Sequence, residues 1–293
     1  MFPRVLAIAL ALFSPLPCYA EDPTLHVASL HPLLADLARE VGGTHVEVVE
    51  LVGKTGDPHR FEPTAADLKR AEAATLYLAA GKGLESYLST LRDIVGNRAT
   101  ILEVGRDLPS LTGTDDDDDH GHAIMDPHWW HSIDLFRRAT TTVATAFAAA
   151  DPPHAADYQA NALAYRAKLD ELQHWAKREI ARIPKDKRQL ATAHDAFRYF
   201  CKDYGFASFP LQGINREQMP APGQIAKLIA DIKNNHVAAI FPEKESNPSI
   251  LAALTRDTGV KLGDALLADG TNTPSYEAMV RHNISAIVKA LAP

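Results

Sequence analysis

Apolar positions recur along the chain in two rhythms. Short aliphatic or β-branched runs at 25–30, 45–51, 75–79 and 100–104 alternate with segments at 32–41, 65–73 and 84–95 whose apolar residues return every three or four positions. The first rhythm predicts strands and the second helices, and their alternation predicts βαβ units with a parallel sheet. After Pro184 the pattern resumes, with strands at 190–193 and 238–241 and helices at 224–234, 248–257 and 276–291. Between the two regions lies an alanine-rich helical pattern at 132–149, and after Asp151-Pro152-Pro153 a second one runs to Ile183. There Tyr158, Ala162, Tyr165, Leu169, Leu172, Ala176 and Ile180 form one narrow apolar stripe. At 1.5 Å per residue such a helix is about 40 Å long, enough to brace two domains. The expected architecture is α/β: two (βα) lobes with mostly parallel sheets, joined by one long rigid helix, with a ligand site in the cleft between them.

Residues 1–20 read as a secretory signal peptide, with Arg4 at a positive start, an apolar stretch too short to span a bilayer, and Cys18-Tyr19-Ala20 as a small-residue cleavage site. A lipid anchor on Cys18 is the competing reading, but Pro15, Leu16 and Pro17 stand where a lipid-attachment site wants a leucine and small residues. The expected product is therefore soluble and periplasmic. Its expected divisions are an N-terminal lobe at 21–152, a linking helix at 153–184 and a C-terminal lobe at 185–293. Residues 112–125 lack apolar periodicity and predict a mobile loop within the first lobe.

The formal charge of −7, much of it from Asp115 to Asp119, argues against nucleic acid as a partner. Cys201 is the sole cysteine after the expected cleavage, so no intramolecular disulfide can form. It sits among Phe197, Tyr199 and Phe200, where a buried inert thiol is the favoured reading over a metal ligand.

Two familiar motifs fail on inspection. Gly53-Lys54-Thr55 lacks the earlier glycine of a phosphate-binding loop, and Gly81-Lys82-Gly83 meets Ser86 where a dinucleotide fingerprint needs a glycine. A pair of echoing tripeptides survives: Asp57-Pro58-His59 and Asp126-Pro127-His128. Aspartate before proline is held extended and proline fixes its own φ, so each histidine is presented by a stiffened loop. Stiff presentation suits a metal ligand, although two turns ending in surface histidines would share the pattern. The helix after the first tripeptide has a start signal in Thr64 and Asp67. His194 and Asp264 each fall at an expected strand end, where binding loops gather in open α/β sheets. Either residue alone is more simply a helix-start residue, and the case for both depends on the set. Three imidazoles and one carboxylate make a donor set that Zn2+ accepts in tetrahedral geometry.

The chain resembles the solute-binding proteins of ABC transporters that serve zinc and manganese importers, and most closely their periplasmic zinc-binding members. The resemblance runs from about Val27 to Leu291. Its marks are GDPHRFEPTAADL at 56–68, GKGLESYL at 81–88, MDPHWWHSID at 125–134, HDAFRYF at 194–200, IFPEKESNP at 240–248, GDAL at 263–266 and SYEAMVRHN at 275–283. It implies one Zn2+ per chain, held by His59, His128, His194 and Asp264. Manganese-type relatives place a glutamate at the third ligand position, so His194 points to zinc. His131 and Ser132 depart from the family's usual Leu-Asp, yet Ser132 can still cap the next helix. Implied partners are the membrane permease of an ABC importer and a periplasmic zinc metallochaperone, with the protein itself a monomer and not an enzyme.

The stretch holding Asp118, Asp119, His120 and His122 resembles the acidic, histidine-bearing loop of zinc-type members. It is either a flap that recruits zinc toward His128 or a solvated insertion. Glu62 and Glu243 are candidate partners for ring nitrogens of the ligands, with capping or surface roles as the alternative. His31, at the end of the first strand, is not taken as a ligand. The main alternatives in function are a manganese- or iron-binding member of the same family and, from another class, a secreted zinc hydrolase. The hydrolase would need a metal-bound water and a general base, neither of which a motif pins here.

Overall fold

A computed structural model describes residues 24–53, 56–114, 123–214, 221–243 and 248–293. The expected signal segment lies outside them, as do Asp118, Asp119, His120 and His122.

The first lobe begins with strand β1 (Leu25–Ser29), which leads through His31 into helix α1 (Pro32–Gly42). Pro32 occupies the first turn, where a missing N–H costs nothing, and His31 Nδ1 accepts the Leu33 N–H at 3.2 Å. Next come β2 (Val46–Glu50), α2 (Ala65–Arg70), β3 (Leu76–Ala79), α3 (Leu88–Val95) and β4 (Thr100–Glu103). α2 starts on a complete capping box: Asp67 N–H donates to the Thr64 hydroxyl, and Thr64 N–H donates to the Asp67 carboxylate. Such a cap stabilises a short helix by about 1 kcal/mol. α3 begins four residues later than its pattern predicts, because Gly81, Lys82 and Gly83 all take positive φ and keep the chain in a turn.

These four strands form one parallel sheet in the order β2-β1-β3-β4. Within the segment read as a loop, β5 (Thr112–Thr114) and β6 (Ala123–Met125) pair antiparallel. Two long helices follow, α4 (Ile133–Ala150) and α5 (Ala155–Ile180). The seven stripe residues of α5 are its buried residues. They lie against α1, α4 and α9 (Tyr276–Leu291), so the helix packs on elements from both ends of the chain.

The second lobe repeats the plan with β7 (Gln189–His194), α6 (Arg198–Tyr204), β8 (Ala207–Gln212), α7 (Pro222–Asn234), β9 (Ala239–Phe241), α8 (Pro248–Thr258) and β10 (Lys261–Leu262), before α9. Its parallel sheet has the order β10-β9-β7-β8. β8 escapes sequence reading because Pro210 interrupts it, which only an edge strand tolerates.

Alternation along the strands separates two faces of each sheet. Leu76 and Leu78 join a core cluster that runs through both lobes, whereas Tyr77 and Ala79 belong to a second cluster beneath α3. Likewise Ala239 and Phe241 join the shared core, while Ile240 and Ala191 pack with residues of α7 and α8. One continuous core thus underlies both lobes and the long helix, and its packing sets how the carboxyl ends of the two sheets face each other.

Candidate metal centre

In each sheet the chain leaves an inner strand in both lateral directions: β1 has β2 and β3 beside it, and β7 has β8 and β9. That reversal opens a crevice at the strands' carboxyl ends, where ligands of open α/β sheets bind. His194 is the last residue of β7, His59 lies in the loop after β2, and His128 lies between β6 and α4.

The two Asp-Pro-His tripeptides fold alike. Asp57 Oδ1 accepts the His59 N–H at 2.9 Å, and Asp126 Oδ1 accepts the His128 N–H at 2.9 Å. Each aspartate thus closes a tight turn over its proline. Asp126 is itself fastened, its N–H donating to Leu111 O at 2.8 Å and its carbonyl accepting the Tyr199 hydroxyl at 3.1 Å. The loop is a rigid mount.

Three imidazoles converge. His128 Nε2 stands 3.1 Å from His59 Nε2 and 3.3 Å from His194 Nε2. His128 Nδ1 donates to Asp126 Oδ1 at 2.8 Å, and His194 Nδ1 donates to Glu243 Oε2 at 2.7 Å. An ionised carboxylate only accepts, so in each ring the hydrogen sits on Nδ1 and Nε2 keeps its lone pair. Two lone pairs facing each other at 3.3 Å repel unless a cation lies between them. Nitrogens 3.1 and 3.3 Å apart are close enough to share one metal ion. Burial lowers the pKa of His128, against the upward pull of Asp126, and the neighbouring rings of His59 and His194 lower it further. The ring therefore stays neutral below the ordinary histidine range.

The carboxylate of the cluster is Asp269. Its Oδ1 lies 3.6 Å from His59 Nε2, and one ligand atom from each of His59, His128, His194 and Asp269 falls within 4.8 Å of the others. This corrects the expectation for Asp264. Asp264 follows β10 on the surface, with a half-exposed side chain that pairs with Lys289 Nζ at 2.8 Å. The chain runs on beside the end of β9, where Leu266 bridges in parallel to Glu243, and reaches the cleft only at Asp269. Leu266 and Leu267 prolong the apolar run past Asp264, a signal that could have moved the strand end toward Asp269.

Glu243 is buried on His194, holding both the ring and, at 3.2 Å, the backbone N–H. Glu62 is exposed, and the carboxylate that orients His128 is Asp126. The sequence had displayed Asp126 all along, but as a loop stiffener. His31 is fully buried as the cap of α1, with its ring 4.4 Å from that of Trp130. Cys201 is buried and free, and burial pushes its thiol up to about 12, as an inert core residue requires.

The chain matches the family model described as "ZnuA: Zinc-uptake complex component A periplasmic" over residues 27–290. It is 32% identical over 282 residues to the manganese-binding lipoprotein MntA of Bacillus subtilis (strain 168), covering 93% of this chain and 91% of that one. It is 29% identical over 273 residues to the iron-binding protein YfeA of Yersinia pestis, covering 90% and 85%. Its fold superposes on the periplasmic zinc binding protein TroA from Treponema pallidum with a TM-score of 0.83 at 26% identity, covering 93% of this chain and 100% of that one.

Proposed function

Because the chain belongs to the ZnuA/TroA family of metal-binding solute-binding proteins, which work with the membrane permease and ATPase of an ABC importer, we propose that its cargo is Zn2+, captured by His59, His128, His194 and Asp269. The observation that carries this reading is the third imidazole. His194 supplies a neutral nitrogen where an oxygen donor would favour a harder ion, and its tautomer is set by Glu243 at 2.7 Å. A set of three borderline nitrogens and one carboxylate is a donor set that zinc accepts, and this supports the reading.

Manganese or iron is the second reading. Relatives at 32% and 29% identity carry those metals in their names, whereas the structurally similar protein from Treponema pallidum is named for zinc. The family consists of solute-binding proteins, so the hydrolase alternative falls away. Export of the chain to the periplasm, receipt of zinc from a metallochaperone and a monomeric state are part of the same proposal.

The test is metal analysis of the purified protein, followed by competition of Zn2+ against Mn2+ on the wild type and on His194→Glu. The wild type is expected to hold about one zinc per chain and to prefer it, and the glutamate variant to shift toward manganese. A wild type that takes manganese in preference, or a variant with unchanged selectivity, would overturn the assignment.

A further inference from the structure

The loop that carries Asp269 is pinned at both ends to a single residue. Trp130, buried in the turn after His128, donates its indole N–H to the Ala268 carbonyl at 2.7 Å. Its own carbonyl accepts the Tyr276 hydroxyl at 2.8 Å. Ala268 immediately precedes Asp269 and Tyr276 opens α9, so residues 269–275 form a closed span with Trp130 at its base.

The approach to this span is held from the other side by α9. Asn283 Oδ1 accepts the Leu267 N–H and its Nδ2 donates to Leu267 O, both at 2.8 Å. His282 Nε2 donates to Ala265 O at 2.8 Å. Just beyond Asp269, Gly270 takes φ +71°, and a Cβ there would stand 2.3 Å from Leu33 of α1. The backbone on both sides of the aspartate is therefore fixed. His128 and His194 are oriented through their rings, and the backbone leading into Asp269 is held by Trp130 and Asn283.

We propose that Trp130 is the positioning residue for Asp269: by holding the Ala268 carbonyl, its indole N–H keeps the next residue's carboxylate over the three histidines and governs how fast the ion leaves. Trp130 follows His128 by two positions, so it joins a ligand of the first lobe to the ligand loop of the second. This rests on Asp269 being a ligand.

The test uses Trp130→Phe, which keeps an aromatic ring and loses the N–H. Zinc dissociation into excess chelator is followed by stopped flow for the full mature protein, Trp130→Phe, Asp269→Ala and the double variant, with the melting temperature of each metal-free form recorded. Loss of one buried hydrogen bond that orients a ligand predicts release about tenfold faster in Trp130→Phe. Asp269→Ala should release zinc faster still, and adding Trp130→Phe to it should change nothing, because the tryptophan acts through the aspartate. An unchanged rate in Trp130→Phe, or effects that multiply in the double variant, would overturn the proposal while leaving Asp269 a ligand. A wild-type rate and affinity in Asp269→Ala would instead sink the ligand assignment, and the proposal with it. Should Trp130→Phe not fold, Asn283→Ala loosens the same segment from the α9 side. Faster release that Asp269→Ala makes redundant supports the positioning role, and additive effects overturn it.

Discussion

His59 and Asp269 face each other across the cleft, Nε2 to Oδ1 at 3.6 Å, with side chains only 4% and 3% exposed. One is mounted after β2 and the other beyond β10, so each lobe supplies one member of the contact. The carboxylates of Asp126 and Glu243 are spent on Nδ1 hydrogens behind the rings, whereas Asp269 meets the imidazoles on their Nε2 side. Its charge therefore falls on the side where the three Nε2 atoms would hold a cation.

Asp269→Ala is expected to weaken zinc binding by more than about 100-fold, beyond what the loss of an outer partner costs. Asp264→Ala is expected to leave affinity within about twofold, since its surface pair with Lys289 is worth little. Chelator-competition titrations of the two variants decide between them, and equal losses would contradict the geometry.

Asp126→Asn and Glu243→Gln keep the shape of the partners but remove the charge that fixes the histidine tautomers. Each should weaken zinc binding by about 10- to 100-fold with little change in the melting temperature of the metal-free protein. Isothermal calorimetry in parallel with thermal melts would check both halves, and a loss of stability without a loss of affinity would assign these carboxylates a purely structural role.

Burial drives His31 and His131 from the usual 6.5 down to about 3, with Asp269 opposing, the ring of His128 pushing both the same way and that of His59 adding to the effect at His31. Between those two values the unfolded chain binds protons at both rings and the folded chain does not. Stability of the metal-free protein should thus rise with pH from about 3 to 6.5 and level off above it. Each ring contributes at most about 1.4 kcal/mol per pH unit. Urea melts at a series of pH values should show this slope, and His131→Gln should reduce it. A slope that persists unaltered in that variant would place its origin elsewhere.

The Cys201 thiol, pushed up to about 12 and buried, should not react with a thiol reagent at pH 8 while the protein is folded. One equivalent should react after denaturation of the mature chain. Rapid labelling of the native protein would show that this part of α6 opens far more readily than its packing implies.

Sequence patterns carried most of the fold because most of its signals are local. A stripe of apolar residues at helical spacing marks the buried face of α5 whatever it packs against, and a capping box is complete within four residues. The histidines of the two tripeptides were legible for the same reason, since Asp-Pro stiffening acts inside each loop. Segments ruled by distant partners were less open to reading. β8 contains a proline that its edge position alone makes acceptable. The segment leading to Asp269 is tied to the sheet by a single bridge from Leu266 to Glu243.

The sequence by itself determined that two parallel-sheet lobes flank a long helix, that three histidines stand at strand ends or on stiff loops, and that the compatible ion is a divalent metal. Tertiary structure alone decided which carboxylate completes the set, that Glu243 orients His194, and that Trp130 ties the two ligand loops together. Those outcomes depend on contacts between residues that are 49 to 210 positions apart. Pairing at that range is set by how the two sheets pack on their shared core, and no local pattern encodes it.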